Sequence, residues 1–347
     1  MLFRFGTHRI RSFPKFSWIS STFLKGAMPG CIKGKFKRNL TAKTGRVGRS
    51  SHGNRNQNPK KRFFKVVSRS IAGLVFSTGA LCGWQYYRLR RDYVPLKPPK
   101  GAVSGIETPL RITEGKDENN LEECQIFFIG DSLVIGIGCP DRLEGPVFAR
   151  HISRVVAQAL QKKVKWRVMG IDGGDVKTMR EKLLVQVEKA TRTSDAEVSA
   201  VVIMCGLNDY KCLIQEGRLP SMFKEELRNL IRAVKNIVGD EARVVLPALP
   251  VERAPLFQTL FPMNVMLYKV AKIWDHQKLV LSGEEQKVEF VDEPGHYNTG
   301  DWAVDGIHPS EQGYTRWADH IVISILPRLK DRVYLHQTRM GSVNLKP

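Results

Sequence analysis

From residue 125 onward the chain alternates short apolar runs with longer stretches whose apolar residues recur every three to four positions. The runs at 125–130, 165–170, 200–206, 242–249 and 287–292 predict strands, and the segments 146–162, 175–190, 220–238, 263–278 and 310–329 predict helices. Strand interiors this apolar (QIFFIG, AVVIMCG, ARVVLPAL) belong to a sheet covered on both faces. Five such strands separated by helices predict an α/β fold with a doubly wound, five-stranded parallel sheet. In such sheets functional groups collect just beyond the carboxyl ends of the strands, so those positions are the ones to inspect.

The first third of the chain has a different pattern. Residues 70–87 (SIAGLVFSTGALCGWQYY) run without a charge, bounded by Lys65 and Arg69 before and Arg88, Arg90 and Arg91 after. A bilayer core of about 30 Å needs around 20 apolar residues, so 66–88 is expected to span a membrane if Arg69 snorkels to the surface. Trp84, Tyr86 and Tyr87 suit one interface, and Gly79 and Gly83 form a small-residue face. The bland alternative is the buried helix of a soluble domain. The membrane reading is preferred because the flanking sequence offers nothing for such a helix to pack on. The segment 1–65 reads as a basic, disordered targeting region, 89–121 as a linker with four prolines, 122–332 as the folded body, and 333–347 as a tail.

Charge sharpens this division. The 347 residues carry 55 Lys and Arg against 34 Asp and Glu, yet residues 1–91 hold 21 of the bases and no acid. The body is therefore formally neutral, and no nucleic-acid partner is expected. An acid-free start mixing Arg, Ser and large apolar residues favours a mitochondrion or another organelle, with a type II anchor in the secretory pathway as the alternative. The six cysteines show no metal-ligand spacing; Cys205 and Cys212 are close enough in sequence to pair in an oxidising compartment.

Three blocks follow strands and one precedes the last helix. Gly130-Asp131-Ser132-Leu133 places a serine at the sheet edge, where a base and oxyanion donors would make it a nucleophile; alone, it is a turn capping a helix. Gly206-Leu207-Asn208-Asp209 offers a carboxamide donor or a local turn. Gly170, Gly173 and Gly174 lie in one loop where a backbone N–H can approach the same point. Asp305-Gly306-Ile307-His308-Pro309 spaces a carboxylate three residues from an imidazole, close enough to fix its tautomer. A metal set of His296, Asp301, Asp305 and His308 is the rival; no metal and no cofactor is expected.

In this order the blocks GDSL, Gly174, GLND and DGIHP resemble those of the SGNH hydrolases, the GDSL esterase/lipase family, over about residues 122–330. The resemblance implies a flavodoxin-like three-layer α/β/α fold and serine-esterase chemistry. It implies Ser132 as nucleophile, His308 as general base and Asp305 as its partner, with an oxyanion hole from the N–H groups of Ser132 and Gly174 and the Asn208 side chain. The expected substrate is a small-molecule or lipid ester, with the apolar stretch Ala254-Pro255-Leu256-Phe257 and Leu260-Phe261 available to line a lipid site or simply to pack the core. An O-acyltransferase using the same triad and an inactive membrane-tethered binding protein are the alternatives.

Overall fold

The computed structural model describes residues 59–112 and 120–343; most of the basic targeting segment, part of the linker and the last four residues lie outside the described residues. A long helix α1 (Pro59–Asp92) comes first, followed by β1 (Ser104–Glu107), β2 (Glu123–Gly130), α2 (Ser132–Ile135), α3 (Val147–Leu160), β3 (Lys163–Gly170) and α4 (Val176–Arg192). Then come β4 (Glu197–Met204), α5 (Leu207–Glu216), α6 (Pro220–Val238), β5 (Arg243–Pro247), α7 (Pro255–Gln258), α8 (Met263–Glu284), β6 (Val288–Val291) and α9 (Glu311–Val343). The strands form one sheet in the order β1-β3-β2-β4-β5-β6.

The five expected strands pair in parallel, while β1 adds an antiparallel edge on β3, making the sheet six-stranded and mixed. The addition lies in the segment expected to be a linker. Its four residues, SGIE, are too short and too polar to announce a strand, and it is the exposed side of β3 that recruits them. Helix α1 also starts earlier than the expected span, because Lys and Arg at 60–62 and 65 are good helix formers and Pro59 suits a first turn. Residues 333–343, expected as a tail, continue α9 as helical backbone.

Helices α3 and α9 cover one face of the sheet, and α4, α6 and α8 the other. The central strand β2 is buried from Cys124 to Gly130. On one face Phe128 stacks edge-on with Phe148 of α3 at 6.0 Å, which in turn meets Trp317 of α9 at 5.7 Å. Burying each such side chain contributes about 1.5–3 kcal/mol, so this layer is what holds α9, and the loop before it, over the end of β2.

The chain winds to opposite sides of β2 after β2 and after β3, so the topological switch lies at the carboxyl ends of β2 and β4. There Gly130 pairs with Met204, and a Cβ on Gly130 would come within 2.5 Å of the Met204 carbonyl oxygen. The two strand ends approach this closely only because residue 130 has no side chain.

Candidate active site

Four segments converge on that switch point. Ser132 opens α2 immediately past β2, and Asp131 caps the turn by accepting the Leu133 N–H at 3.0 Å. Asp305 closes a tight loop before α9: its Oδ1 accepts the N–H groups of Ile307 and His308, each at 3.0 Å, and its Oδ2 lies 2.6 Å from His308 Nδ1. His308 Nε2 is 3.0 Å from Ser132 Oγ. With the Nδ1 proton committed to the carboxylate, Nε2 is left to accept the serine hydroxyl proton. Ser132 and His308 are buried, at 5% and 6% exposure, so this chain of hydrogen bonds lies in a largely dry setting. Burial alone would push the Asp305 carboxyl up, but the His308, Ile307 and His308-backbone hydrogen bonds outweigh it and hold it below the usual carboxylate range.

Across the serine, Asn208 enters from the first turn of α5. Gly206 caps this helix with a φ of +126°, open to glycine and strained for other residues. Asn208 Nδ2 donates to Asp131 Oδ2 and to the Gly174 carbonyl oxygen, both at 3.1 Å, while its Oδ1 accepts from Lys211 Nζ at 2.7 Å. The Gly174 N–H donates to Ile171 O at 3.0 Å. The N–H groups of Ser132 and Gly173 have no acceptor among the described residues. Thus the structure brings Ser132, Gly174 and Asn208 to one place, with two of the three donors already engaged.

The carboxylates beneath this cluster are unusual. Burial pushes Asp131 up to about 6 and Asp209 up to about 7. Asp209 Oδ1 accepts the Val176 N–H at 3.3 Å, and its Oδ2 meets no donor among the described residues. Below them the fully buried Lys278 donates to Pro247 O at 2.9 Å and to Asp275 at 3.2 Å, and a Cβ on Gly206 would lie 3.7 Å from its Nζ.

The rival metal set does not assemble. Asp305 and His308 are joined to each other, while Asp301 accepts the Asn298 N–H at 2.6 Å and faces Arg316 at 3.1 Å. Cys205 and Cys212 are separate thiols. A small apolar cavity is lined by Leu133, Leu207 and Ile307, the chain neighbours of Ser132, Asn208 and His308, together with Leu249, Val251 and Phe257. Phe257 and Ala254 are therefore core-facing, and Leu256 N–H ties α7 to Gly306 O at 3.1 Å, whereas Phe261 projects outward at 71% exposure.

Three contributors were missed in the sequence. Tyr93 donates its hydroxyl to Asp305 Oδ2 at 3.2 Å from the segment expected as a linker, and nothing local marks it. No local pattern marks Lys278, whose burial depends on packing across β5. Lys211 was legible in principle, because three-residue spacing on a helix sets it beside Asn208.

A doubly wound sheet whose switch point carries a serine, histidine and aspartate in hydrogen-bonded sequence defines a hydrolase-type α/β protein. The family model described as GDSL-like Lipase/Acylhydrolase matches residues 128–316, and the chain belongs to this family of esterase/lipase-type hydrolases. Solved structures with a similar fold include a lipase from a goat rumen metagenome, at 18% identity over 57% of this chain and 95% of that one, with a TM-score of 0.44. A lipase/acylhydrolase from Enterococcus faecalis is 23% identical over 59% of this chain and 96% of its own, with a TM-score of 0.41. An acetylxylan esterase from Geobacillus stearothermophilus is 17% identical over 58% and 93%, with a TM-score of 0.42. No curated protein sequence matches the chain.

Proposed function

We propose that the protein is a serine carboxylic-ester hydrolase that works through an acyl-serine intermediate and is tethered to a membrane by α1. The observation that carries the reading is the unbroken relay Ser132 Oγ, His308 Nε2, His308 Nδ1, Asp305 Oδ2, with links of 3.0 and 2.6 Å. As Ser132 attacks an ester carbonyl, His308 takes the hydroxyl proton and Asp305 stabilises the resulting imidazolium. The carbonyl oxygen, now negative, collects the Ser132 N–H, the Asn208 Nδ2 hydrogen that had been given to Gly174 O, and the Gly174 N–H released from Ile171 O. His308 then protonates the leaving alkoxide, and water, deprotonated by the same imidazole, cleaves the acyl-serine and restores the hydroxyl.

Support for the tether comes from one helix, Phe63–Asp92, long and apolar enough to cross a membrane, with only 6% of its apolar window buried. The acid-free, Arg- and Ser-containing start agrees with an organellar membrane, the mitochondrion first.

Turnover of a series of nitrophenyl esters from acetyl to long acyl by the purified chain tests the reading, together with labelling of Ser132 by a fluorophosphonate. Hydrolysis that vanishes in Ser132→Ala, with loss of the label, is the expected result. Full activity of that variant overturns the assignment.

A further inference from the structure

Helix α1 has two unlike halves. From Phe63 to Leu81 it stands clear of the body, with apolar side chains such as Phe64, Ile71, Leu74 and Phe76 exposed on every side. These 19 residues span about 28 Å at 1.5 Å each, which matches a bilayer core once Lys65 and Arg69 in its first turns snorkel to the headgroups, and an apolar surface that wraps the rest of the helix requires either protein or lipid around it. From Cys82 onward a single stripe, Cys82, Gln85, Tyr86 and Leu89, turns against the body.

The contacts made by that stripe are specific. Cys82 Sγ meets Met266 Sδ at 3.5 Å, and Gln85 donates to Phe261 O at 2.6 Å while accepting the Met263 N–H at 3.3 Å. Tyr86 accepts from Gln215 at 3.1 Å. One residue past the helix, Tyr93 reaches the carboxylate of the triad, Asp305. Trp84 and Tyr87, 53% and 61% exposed, mark the interface level expected of amphipathic rings, and Tyr93 lies only about 14 Å further along the axis. At the same level the body presents Phe261, Val265 and Met266, exposed at 71%, 45% and 53%, beside α1.

We infer that α1 is a docked strut rather than a loose tether, that Phe261, Val265 and Met266 rest in the surface of the bilayer that α1 crosses, and that the site takes acyl-ester lipids from that same bilayer. The inference rests on the esterase reading for its substrate and on the apolar span of α1 for its surface. The physical reason is geometric. A helix fixed at Gln85 and Tyr93 cannot carry the triad away from the membrane, so the lipid ester is the acyl donor presented at the highest local concentration. Three exposed apolar side chains next to a spanning helix also lose their contact with water by entering the interface, which strengthens the docking.

The full chain reconstituted in phosphatidylcholine vesicles tests this in two arms. A phosphatidylcholine carrying a photoactivatable carbene precursor near its headgroup is expected to label the 261–266 peptide, and absence of label there, with α1 labelled, overturns the surface. Nitrophenyl palmitate dissolved in the enzyme's own vesicles is expected to turn over faster than the same ester supplied in separate protein-free vesicles. Equal rates overturn the shared-bilayer substrate. Val265→Asp with Met266→Asp should lower the ratio of palmitate to acetate turnover about tenfold, and an unchanged ratio counts against the inference. Failure to hydrolyse either ester refutes the esterase reading and with it the lipid substrate, while labelling still decides the surface.

Discussion

The two arms of the site, the proton relay and the oxyanion side, are built differently. In the relay, Asp305 and His308 belong to one five-residue turn, a distant contact of 3.0 Å to Ser132 completes it, and Tyr93 joins Asp305 from outside the turn at 3.2 Å. On the other side, Asp131 and Gly174 come from two separate loops and Asn208 and Lys211 from one helix, and their hydrogen bonds are satisfied by one another. For the proposed reaction the relay is poised before substrate arrives. In the proposed reaction the oxyanion side must exchange acceptors, and that exchange favours the transition state only because the new acceptor bears a full negative charge. Stabilisation that appears only as charge develops raises kcat rather than tightening ground-state binding.

If the relay acts as a unit, removing any part of it removes nearly all of its effect. Ser132→Ala and His308→Ala should each lower kcat by about 10⁴-fold or more, and the double variant should lose little beyond either single one. Additive losses, measured on a nitrophenyl ester, would separate the two residues and break the comparison. On the oxyanion side Asn208→Ala should lower kcat by about 10²–10³ with a smaller change in KM.

Buried Asp209 tests the cost of that side in stability. Its carboxyl is pushed to about 7 by burial, above the value near 3.8 of an exposed aspartate, so the native state holds a proton that the unfolded chain releases first. Stability then falls as pH rises from about 4 to 7, by on the order of 3–4 kcal/mol for this group, and Asp209→Asn should flatten that window in thermal melts at stepped pH. An unchanged slope would place the burden on Asp131 instead.

Smaller effects distinguish the supports. Lys211→Met should lower kcat about tenfold, because the ammonium no longer orients the Asn208 amide by its Oδ1; a matching loss in the Asn208→Ala background would show that Lys211 acts through some other group. Tyr93→Phe removes one hydrogen bond to Asp305 and should cost about fivefold in kcat, near 1 kcal/mol. No change at all would mean that α1 does not support the relay.

Legibility in the sequence followed the same division. Ser132, Asp305 and His308 could be named because each sits in a short motif at a strand end or helix start, where a few residues determine the turn. Asn208 was legible for the same reason, but its partners in space were not: Asp131 is 77 residues away and Gly174 is 34. The five parallel strands announced themselves through continuous apolar runs. The edge strand β1 did not, since its pairing comes from the open side of β3 rather than from its own side chains. Helix α1 was visible as an apolar stretch, whereas its docking through Gln85 and Tyr93 joins residues 176 and 212 apart.

By itself, the sequence determined what is encoded within a turn or an element: the alternation of strands and helices, the capped serine turn, the Asp305-His308 spacing and the charge-free run. Backbone preference and side-chain reach act over a few residues, so these features need no fold to be read. Only the tertiary structure decided how the donors share their hydrogen bonds, which carboxylates lose their water, and where the apolar helix meets the triad. Those outcomes depend on close packing and desolvation between elements far apart in the chain, and packing of that kind exists only once the chain has folded.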